Sequence, residues 1–441
     1  MAILGYESLA STLEELQTLL WGPVIKQEIW ERWSQGFSFS ENEGTALLQK
    51  EGGPCAVIAP VQAFLLKNYL EDGVSCIENL RGVGEEGRKT MFLNSLSEII
   101  HQASNGSEAA TLVVQNTADV LEKDNGEAPP PIEMSAVDPR SPEVFLKNST
   151  YIALQGSHEI HEALLRHFDV FCCNLGVLRF LYSVLLTKGL SNIKQEMEDP
   201  SEGLIDGIYG HGSQSLINLF LTGKAVNNVW DNTRDVGGLS LRGIPAQNKV
   251  GFLTTLEHHR YCEVGSYLKN PLYPVWLLGS ETHLTVLFSF DSGLTAAESP
   301  REIAHRIFKS FDPEGNGFIS CEKLQDIMVA LNLVSEPEYV NIMRQKLDEE
   351  GLGIILRSKF MEEFYPQSRR ESKTNSFSLF HYNGLERSCQ DSKVVFQEGQ
   401  AEVVDGEIQM MHDQTPILLC VQTKWPSIDV NWKSGRAPSL N

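Results

Sequence analysis

Apolar residues recur at helical spacing over residues 9–20 and 24–33, which predicts two helices with Trp21, Trp30 and Trp33 toward a core. Residues 47–64, LLQKEGGPCAVIAPVQAF, run from a Gly-Gly-Pro bend into an apolar stretch whose helix continues over 61–70. Pro60 removes an interior hydrogen bond there, so a kink or a short first segment is expected. Residues 91–103 predict a further helix. Over 104–150 the pattern gives way to Asn, Gly, Ser, Glu and Pro, with Pro129, Pro130 and Pro131 in a row, and predicts that much of the stretch is a mobile insertion. Helical spacing returns at 177–190 and 193–197. Ser213 is placed to cap a helix through Leu216, Ile217, Leu219 and Phe220 that Gly223 ends, which leaves residues 225–231 exposed to a partner.

From Pro274 the spacing turns to strands: VWLLG, a Ser-Glu-Thr turn, then HLTVLFSF. Near the end FSLFHYNGL, KVVFQEG and PILLCVQTKWPSIDVNW also read as strands, rejoining the same sheet. Between these sets, residues 300–366 form a different module. An amphipathic helix, the twelve-residue loop DPEGNGFISCEK and a second helix are followed by another such loop, DEEGLGIILRSK. Gly317 and Gly353 fall at loop position six, and Ile319 and Ile355 at position eight, which pairs the loops as an EF-hand-like module. Position twelve is Lys323 in one loop and Lys359 in the other where a bidentate glutamate is needed, and Leu352 occupies position five, so the pair is degenerate and should not bind calcium at micromolar levels. The expectation is an α+β chain. Residues 1–295 form a catalytic domain with a flexible insertion at about 104–150, residues 300–366 the inserted helical EF-hand-like pair, and residues 375–441 strands that rejoin the first domain.

Composition narrows the partners. The 441 residues, 41% apolar and 21% charged, have ordinary globular content and room for more than one domain. Fifty-eight acidic against 36 basic residues give a net charge of −22, which repels a phosphate backbone and argues against nucleic acid. The apolar run over 168–186 is interrupted by Asp169, Asn174 and Arg179 and predicts a buried core helix rather than a membrane span. Eight scattered cysteines, without CxxC pairs, and an N-terminus without a basic start or long apolar core predict a reducing, intracellular setting, nuclear or cytosolic.

Chemistry enters at Cys55. It follows Pro54 at a helix start, where free amides and the helix dipole favour a thiolate and should lower the thiol pKa; the bland alternative is a small buried core cysteine. Gln49, six residues earlier, could point back across the turn and, with the Cys55 amide, hold a developing oxyanion. This spacing is similar to that of papain-like cysteine proteases. Among eleven histidines, His283 opens a strand far downstream, where a papain-like base would lie. Thr285 shares its face and is a weak orienting candidate. His211, between Gly210 and Gly212, reads as a turn histidine, with a groove residue or base as the rival.

The segment QKEGGPCAVIAPVQAFLL resembles the nucleophile segment of the MINDY deubiquitinases, and the likeness extends to YGHGSQSLINLFLTGKAVNNVWD, VWLLGSETHLTVLF, HYNGL and TKWPSIDVNW. The resemblance implies a papain-like isopeptidase that trims polyubiquitin linked through lysine forty-eight of ubiquitin. It makes Cys55 the nucleophile and His283, in its THLTV motif, the base; Gln49 is the oxyanion donor. No cofactor and no metal are called for. The rivals are a ubiquitin-binding scaffold without activity and a calcium-responsive interaction protein built on the EF-hand-like pair.

Overall fold

The computed structural model describes residues 6–115, 141–295, 300–312, 316–366, 376–403 and 415–441. They fall into two units: Met1–Thr295 together with Ser376–Asn441, and Ala296–Asn375. The chain is α+β.

In the first unit, helices α1 (Tyr6–Trp21) and α2 (Gln27–Trp33) bury Trp21, Trp30 and Trp33 as one aromatic cluster, with the Trp21 ring 5.5 Å from Trp30 and 5.8 Å from Trp33. Helix α3 (Cys55–Glu71) is the axis of the unit: every residue from Cys55 to Tyr69 is buried, which suits a helix apolar on nearly all sides. It runs through Pro60 as one helix, so the proline does not set off a short first segment. The proline lies close to the helix start, where only the carbonyl of Ala56 loses its partner, and the surrounding core holds the rest in place. Helices α4 (Glu85–Ala103) and α5 (Gly176–Lys188) pack against it. Buried Arg179 on α5 donates to the Asn174 carbonyl at 2.8 Å, and no helix among the described residues is long and apolar enough to cross a membrane.

One expectation is narrowed here and another fails, each for an identifiable reason. Residues 104–150 are not wholly an insertion, because β1 (Ala109–Gln115) and β2 (Ser149–Gln155) pair antiparallel, burying Leu112, Val113 and Val114, and the Val113 amide donates to Ser183 Oγ on α5 at 2.8 Å. The polar composition that marked an insertion comes mainly from residues 116–140, which with Pro129, Pro130 and Pro131 lie outside the described residues. Helix α6 (Gln214–Thr222) is capped by the Ser213 hydroxyl, which accepts from the Leu216 amide at 3.3 Å, and it ends at Gly223 with φ +71°. The segment after it is covered instead of exposed: Ala225, Val226 and Val229 are buried, and Asn218 donates to the Val226 and Asn228 carbonyls at 2.8 and 3.1 Å.

A six-stranded sheet closes the unit. Strands β3 (Gly251–Thr254), β4 (Val275–Gly279), β5 (Leu284–Phe288), β6 (Ser376–Tyr382), β7 (Gln397–Val403) and β8 (Ile428–Trp432) lie in the order β8-β7-β6-β5-β4-β3, antiparallel except for β3 with β4. PILLCVQ is not a strand but helix α7 (Pro416–Gln422): proline suits a first helical position, and Ile417, Cys420 and Val421 give it one buried face at helical spacing. KVVF lies ahead of β7 and takes no part in the ladder.

The second unit has helices Pro300–Phe311, Leu324–Ala330, Pro337–Leu347 and Arg357–Phe364 around its own core, which includes Phe308, Leu324, Ile355 and Phe360. Strands Phe318–Ser320 and Ile354–Leu356 pair with Ile319 opposite Ile355. Each loop is closed by its first aspartate: Asp312 accepts from the Asn316 and Gly317 amides at 3.0 and 2.7 Å, and Asp348 from the Leu352 and Gly353 amides, both at 2.8 Å. Residues 313–315 of the first loop lie outside the described residues.

Candidate active site

Cys55 is the first residue of α3, after Pro54 in a near-helical backbone. The bend before it depends on two glycines pressed against neighbours. Gly53 has φ +124°, and a Cβ there would stand 2.8 Å from Trp33 Nε1 and 3.0 Å from the Gly210 carbonyl oxygen. At Gly212 a Cβ would lie 2.3 Å from the Cβ of Ala56, so the Tyr-Gly-His-Gly turn rests directly on the residue after the nucleophile. Trp33 Nε1 donates to the Gly210 carbonyl at 3.0 Å and Arg32 to the Tyr209 carbonyl at 2.8 Å, which ties α2 to that turn.

The thiol is not the low-pKa group expected. Cys55 is 3% exposed, and burial pushes its thiol up to about 11, against the pull of the Leu284, Gly53, Ala56 and Cys55 backbone groups. The helix start does act in the expected direction, but removing the sulfur from water outweighs it. Among the described contacts, Sγ donates to the Gly53 carbonyl at 3.6 Å.

His283 sits in the turn between β4 and β5, one residue before β5 begins. Ser280 fixes this turn, its hydroxyl accepting from the His283 amide at 3.0 Å and its own amide donating to the His283 carbonyl at 3.0 Å. The neighbouring strand β6 runs antiparallel to β5, with Tyr382 opposite Val286, so the residues just past its end return beside the start of β5. There Asn383 meets the imidazole, its Oδ1 lying 3.0 Å from His283 Nε2. Burial holds His283 down to about 4 despite this hydrogen bond, and positive charge at nearby His211 and Arg387 acts in the same direction. Thr285 has a different partner, His381 Nε2 at 2.9 Å. The orienting group for His283 is therefore Asn383. It lies within HYNGL, yet a single asparagine carries no periodic signal, and only the strand register puts it beside the histidine.

Gln49 belongs to a strap laid across these elements. Gln62 on α3 accepts from the Leu47 amide at 2.7 Å and donates to the Thr45 carbonyl at 3.1 Å, Tyr382 donates to the Leu47 carbonyl at 2.7 Å, and the Gln49 amide donates to the Gly384 carbonyl at 2.8 Å. Gln49 thus lies beside the Asn383 turn. Its side chain is 2% exposed and donates from Nε2 to the Glu51 carbonyl at 2.7 Å, a local bond that takes one of its two amide hydrogens. His211 stacks on Tyr209 at 6.2 Å, and its buried Nδ1 has no hydrogen-bond partner among the described residues. Its backbone closes a turn, the Asp206 amide donating to the His211 carbonyl at 2.8 Å, but the ring Nδ1 makes no local bond of the kind expected.

A cavity of about 580 Å³ opens beside this cluster, with Glu28, Glu31, Arg32, Glu51, Ile208, Tyr209 and His211 on its walls. Three carboxylates face one guanidinium, and Ile208 and Tyr209 are exposed apolar groups. No group of His, Cys, Asp and Glu able to hold a metal ion occurs among the described residues.

Cys55, on whose thiol the Leu284 backbone acts, and the paired His283 and Asn383 come from separate parts of the chain, which makes this a candidate centre for acyl transfer through a thiol. The chain belongs to the MINDY deubiquitinase family: the conserved domain described as "Deubiquitinating enzyme MINDY-3/4" matches residues 17–306. The human ubiquitin carboxyl-terminal hydrolase MINDY-3 is 48% identical over 97% of this chain and 99% of its own length. The Drosophila melanogaster MINDY-3 homolog is 42% identical over 97% of this chain and 83% of its own. The human protein named probable ubiquitin carboxyl-terminal hydrolase MINDY-4 is more distant, 29% identical over 64% of this chain and 37% of its own. No solved structure matches the chain.

Proposed function

We propose that the protein is a papain-like cysteine isopeptidase that hydrolyses polyubiquitin, with lysine-forty-eight linkages as the preferred bond. The observation that carries this reading is the 3.0 Å contact between His283 Nε2 and Asn383 Oδ1, next to Leu284, whose backbone acts on the Cys55 thiol. With its proton on Nε2, His283 has Nδ1 free to take the thiol proton as Cys55 Sγ attacks the isopeptide carbonyl. The Cys55 amide and the Gln49 side chain stabilise the oxyanion, for which Gln49 turns from the Glu51 carbonyl toward the developing charge. The imidazolium then protonates the leaving lysine amine, and water activated by His283 hydrolyses the thioester. Asn383 touches neither substrate nor sulfur; it is a positioning residue that holds the ring and its tautomer.

At rest both partners are uncharged at neutral pH, a thiol at about 11 and an imidazole at about 4. The charge separation needed for attack is therefore made only when substrate brings its own carbonyl dipole to the site. The acidic cavity lined by Glu28, Glu31 and Glu51 suits a basic, extended peptide leading to the scissile carbonyl, and Ile208 and Tyr209 offer it apolar contact. Polyubiquitin and ubiquitylated proteins are the partners, with no role for nucleic acid or a membrane. The EF-hand-like unit is structural or partner-binding, since Lys323 and Lys359 replace the acidic residue a calcium loop needs.

The test is turnover of lysine-forty-eight-linked diubiquitin together with labelling by ubiquitin carrying a C-terminal thiol-reactive group. Cys55→Ala should abolish both while still binding chains, and Gln49→Ala should lower kcat about 100- to 1,000-fold with little change in KM. A wild-type protein that binds chains but neither cleaves them nor labels at Cys55 would establish the scaffold reading instead.

A further inference from the structure

Residues 439–441 reach into the site just described. Leu440 is 2% exposed in the second core cluster, beside strand residues Leu278, Leu287 and Leu379. On one side of this anchor, the Ser439 carbonyl accepts from Asn383 Nδ2 at 3.1 Å. On the other, Asn441 Oδ1 accepts from the Ser280 hydroxyl at 2.5 Å and from the Thr282 hydroxyl at 3.3 Å. Ser280 also holds the His283 backbone, its hydroxyl accepting from the His283 amide and its own amide donating to the His283 carbonyl. Three consecutive residues thus touch both the turn that carries the base and the amide that orients it.

We propose that Ser439, Leu440 and Asn441 form a positioning clamp that fixes the tautomer of His283, an inference that rests on the isopeptidase reading of the site. A carbonyl oxygen can only accept, so the Ser439 contact requires the amino end of the Asn383 side chain to face it. Oδ1 must then face His283, where it can only accept as well, and the proton is placed on Nε2. Nδ1 is left as the basic nitrogen. The Leu385 amide, which donates to Asn383 Oδ1 at 3.0 Å, acts in the same sense. Without the clamp only the Leu385 amide resists a turn of the Asn383 amide, which would present Nδ2 to the ring, move the proton to Nδ1 and block the base.

Deleting residues 439–441 should therefore lower kcat on diubiquitin while KM changes less than about twofold, the mark of a lost transition-state contribution. A catalytic histidine in the wrong tautomer loses about 10⁴ in kcat; with the Leu385 amide still in place, the expected loss is about ten- to hundredfold. The direct readout is the pair of His283 ring ¹⁵N shifts, which should move from Nε2–H toward a mixture of tautomers whether or not the protein turns over. Because the deletion also uncovers core, Asn441→Ala and Asn441→Asp form the second arm: alanine should slow turnover about threefold and aspartate, which keeps the accepting oxygen, should restore it. A folded deletion variant with wild-type kcat and unchanged ring shifts overturns the clamp. So do alanine and aspartate variants that behave alike. Failure of the isopeptidase reading has a different signature, a wild-type protein that does not cleave or label at all while its ring shifts still respond to the deletion.

Discussion

The reactivity of Cys55 in the free protein gives a direct measure of how far burial opposes the helix start. With its pKa pushed up to about 11, about one thiol in 10⁴ is ionised at pH 7, against about one in 10² for a thiol at the ordinary value of 9.0. Alkylation by iodoacetamide should accordingly run about a hundredfold slower than at an ordinary exposed thiol and rise about tenfold per pH unit between pH 7 and pH 9, with no plateau. The assay is mass spectrometry of the Cys55 peptide after timed quenching at each pH, with exposed Cys173 as the reference within the same chain. Raising the pH favours the reactive form because the neutral thiol is the species that burial stabilises. A rate that levels off below pH 7 would mean a preformed thiolate–imidazolium pair and would refute the account of a resting, uncharged site.

Asn383→Ala should lower kcat about ten- to hundredfold with KM nearly unchanged, and diubiquitin kinetics in which only KM moves would take Asn383 out of its positioning role. Gly212→Ala places a Cβ 2.3 Å from that of Ala56 and should displace the start of α3; a loss of about tenfold or more in kcat with about 1–3 kcal/mol of destabilisation by denaturant titration is expected, and a neutral variant would show that the turn can yield. Calorimetry on the full chain should detect no calcium binding tighter than about 10 μM, because Lys323 and Lys359 stand at the twelfth loop positions; micromolar affinity would revive the calcium-responsive alternative.

What could be read from the sequence was whatever is local. The Gly-Gly-Pro bend before Cys55, the Ser213 cap, the Gly223 stop and the opposition of Ile319 and Ile355 each depend on residues near one another in the chain, and the structure has all four. The failures share a cause, which is that tertiary surroundings decided the outcome. Residues 225–231 look polar enough for exposure, but Asn218 reaches across to hold their backbone under the core. PILLCVQ has strand-like composition and became a helix because Pro416 starts one and a single face had somewhere to be buried. Proximity to a helix start pointed to a thiolate, whereas the depth of Cys55 below the surface is invisible in its neighbours along the chain. Asn383 was hidden for the same reason, since its meeting with His283 is a matter of register between β5 and β6.

The strands that adjoin His283 and Asn383 are neighbours in the sheet, yet in sequence the whole of the second unit falls between them. Bringing Phe288 opposite Phe380 along an unstructured tether of about 90 residues costs about 4 kcal/mol in loop-closure entropy. A tether that has already folded on its own core removes most of the freedom that closure must restrict. The order of assembly is thereby linked to catalysis: a substitution in the core of the inserted unit, for example at Phe308 or Phe360, would delay pairing of β5 with β6 during folding and reduce the yield of competent enzyme without altering any residue that meets substrate.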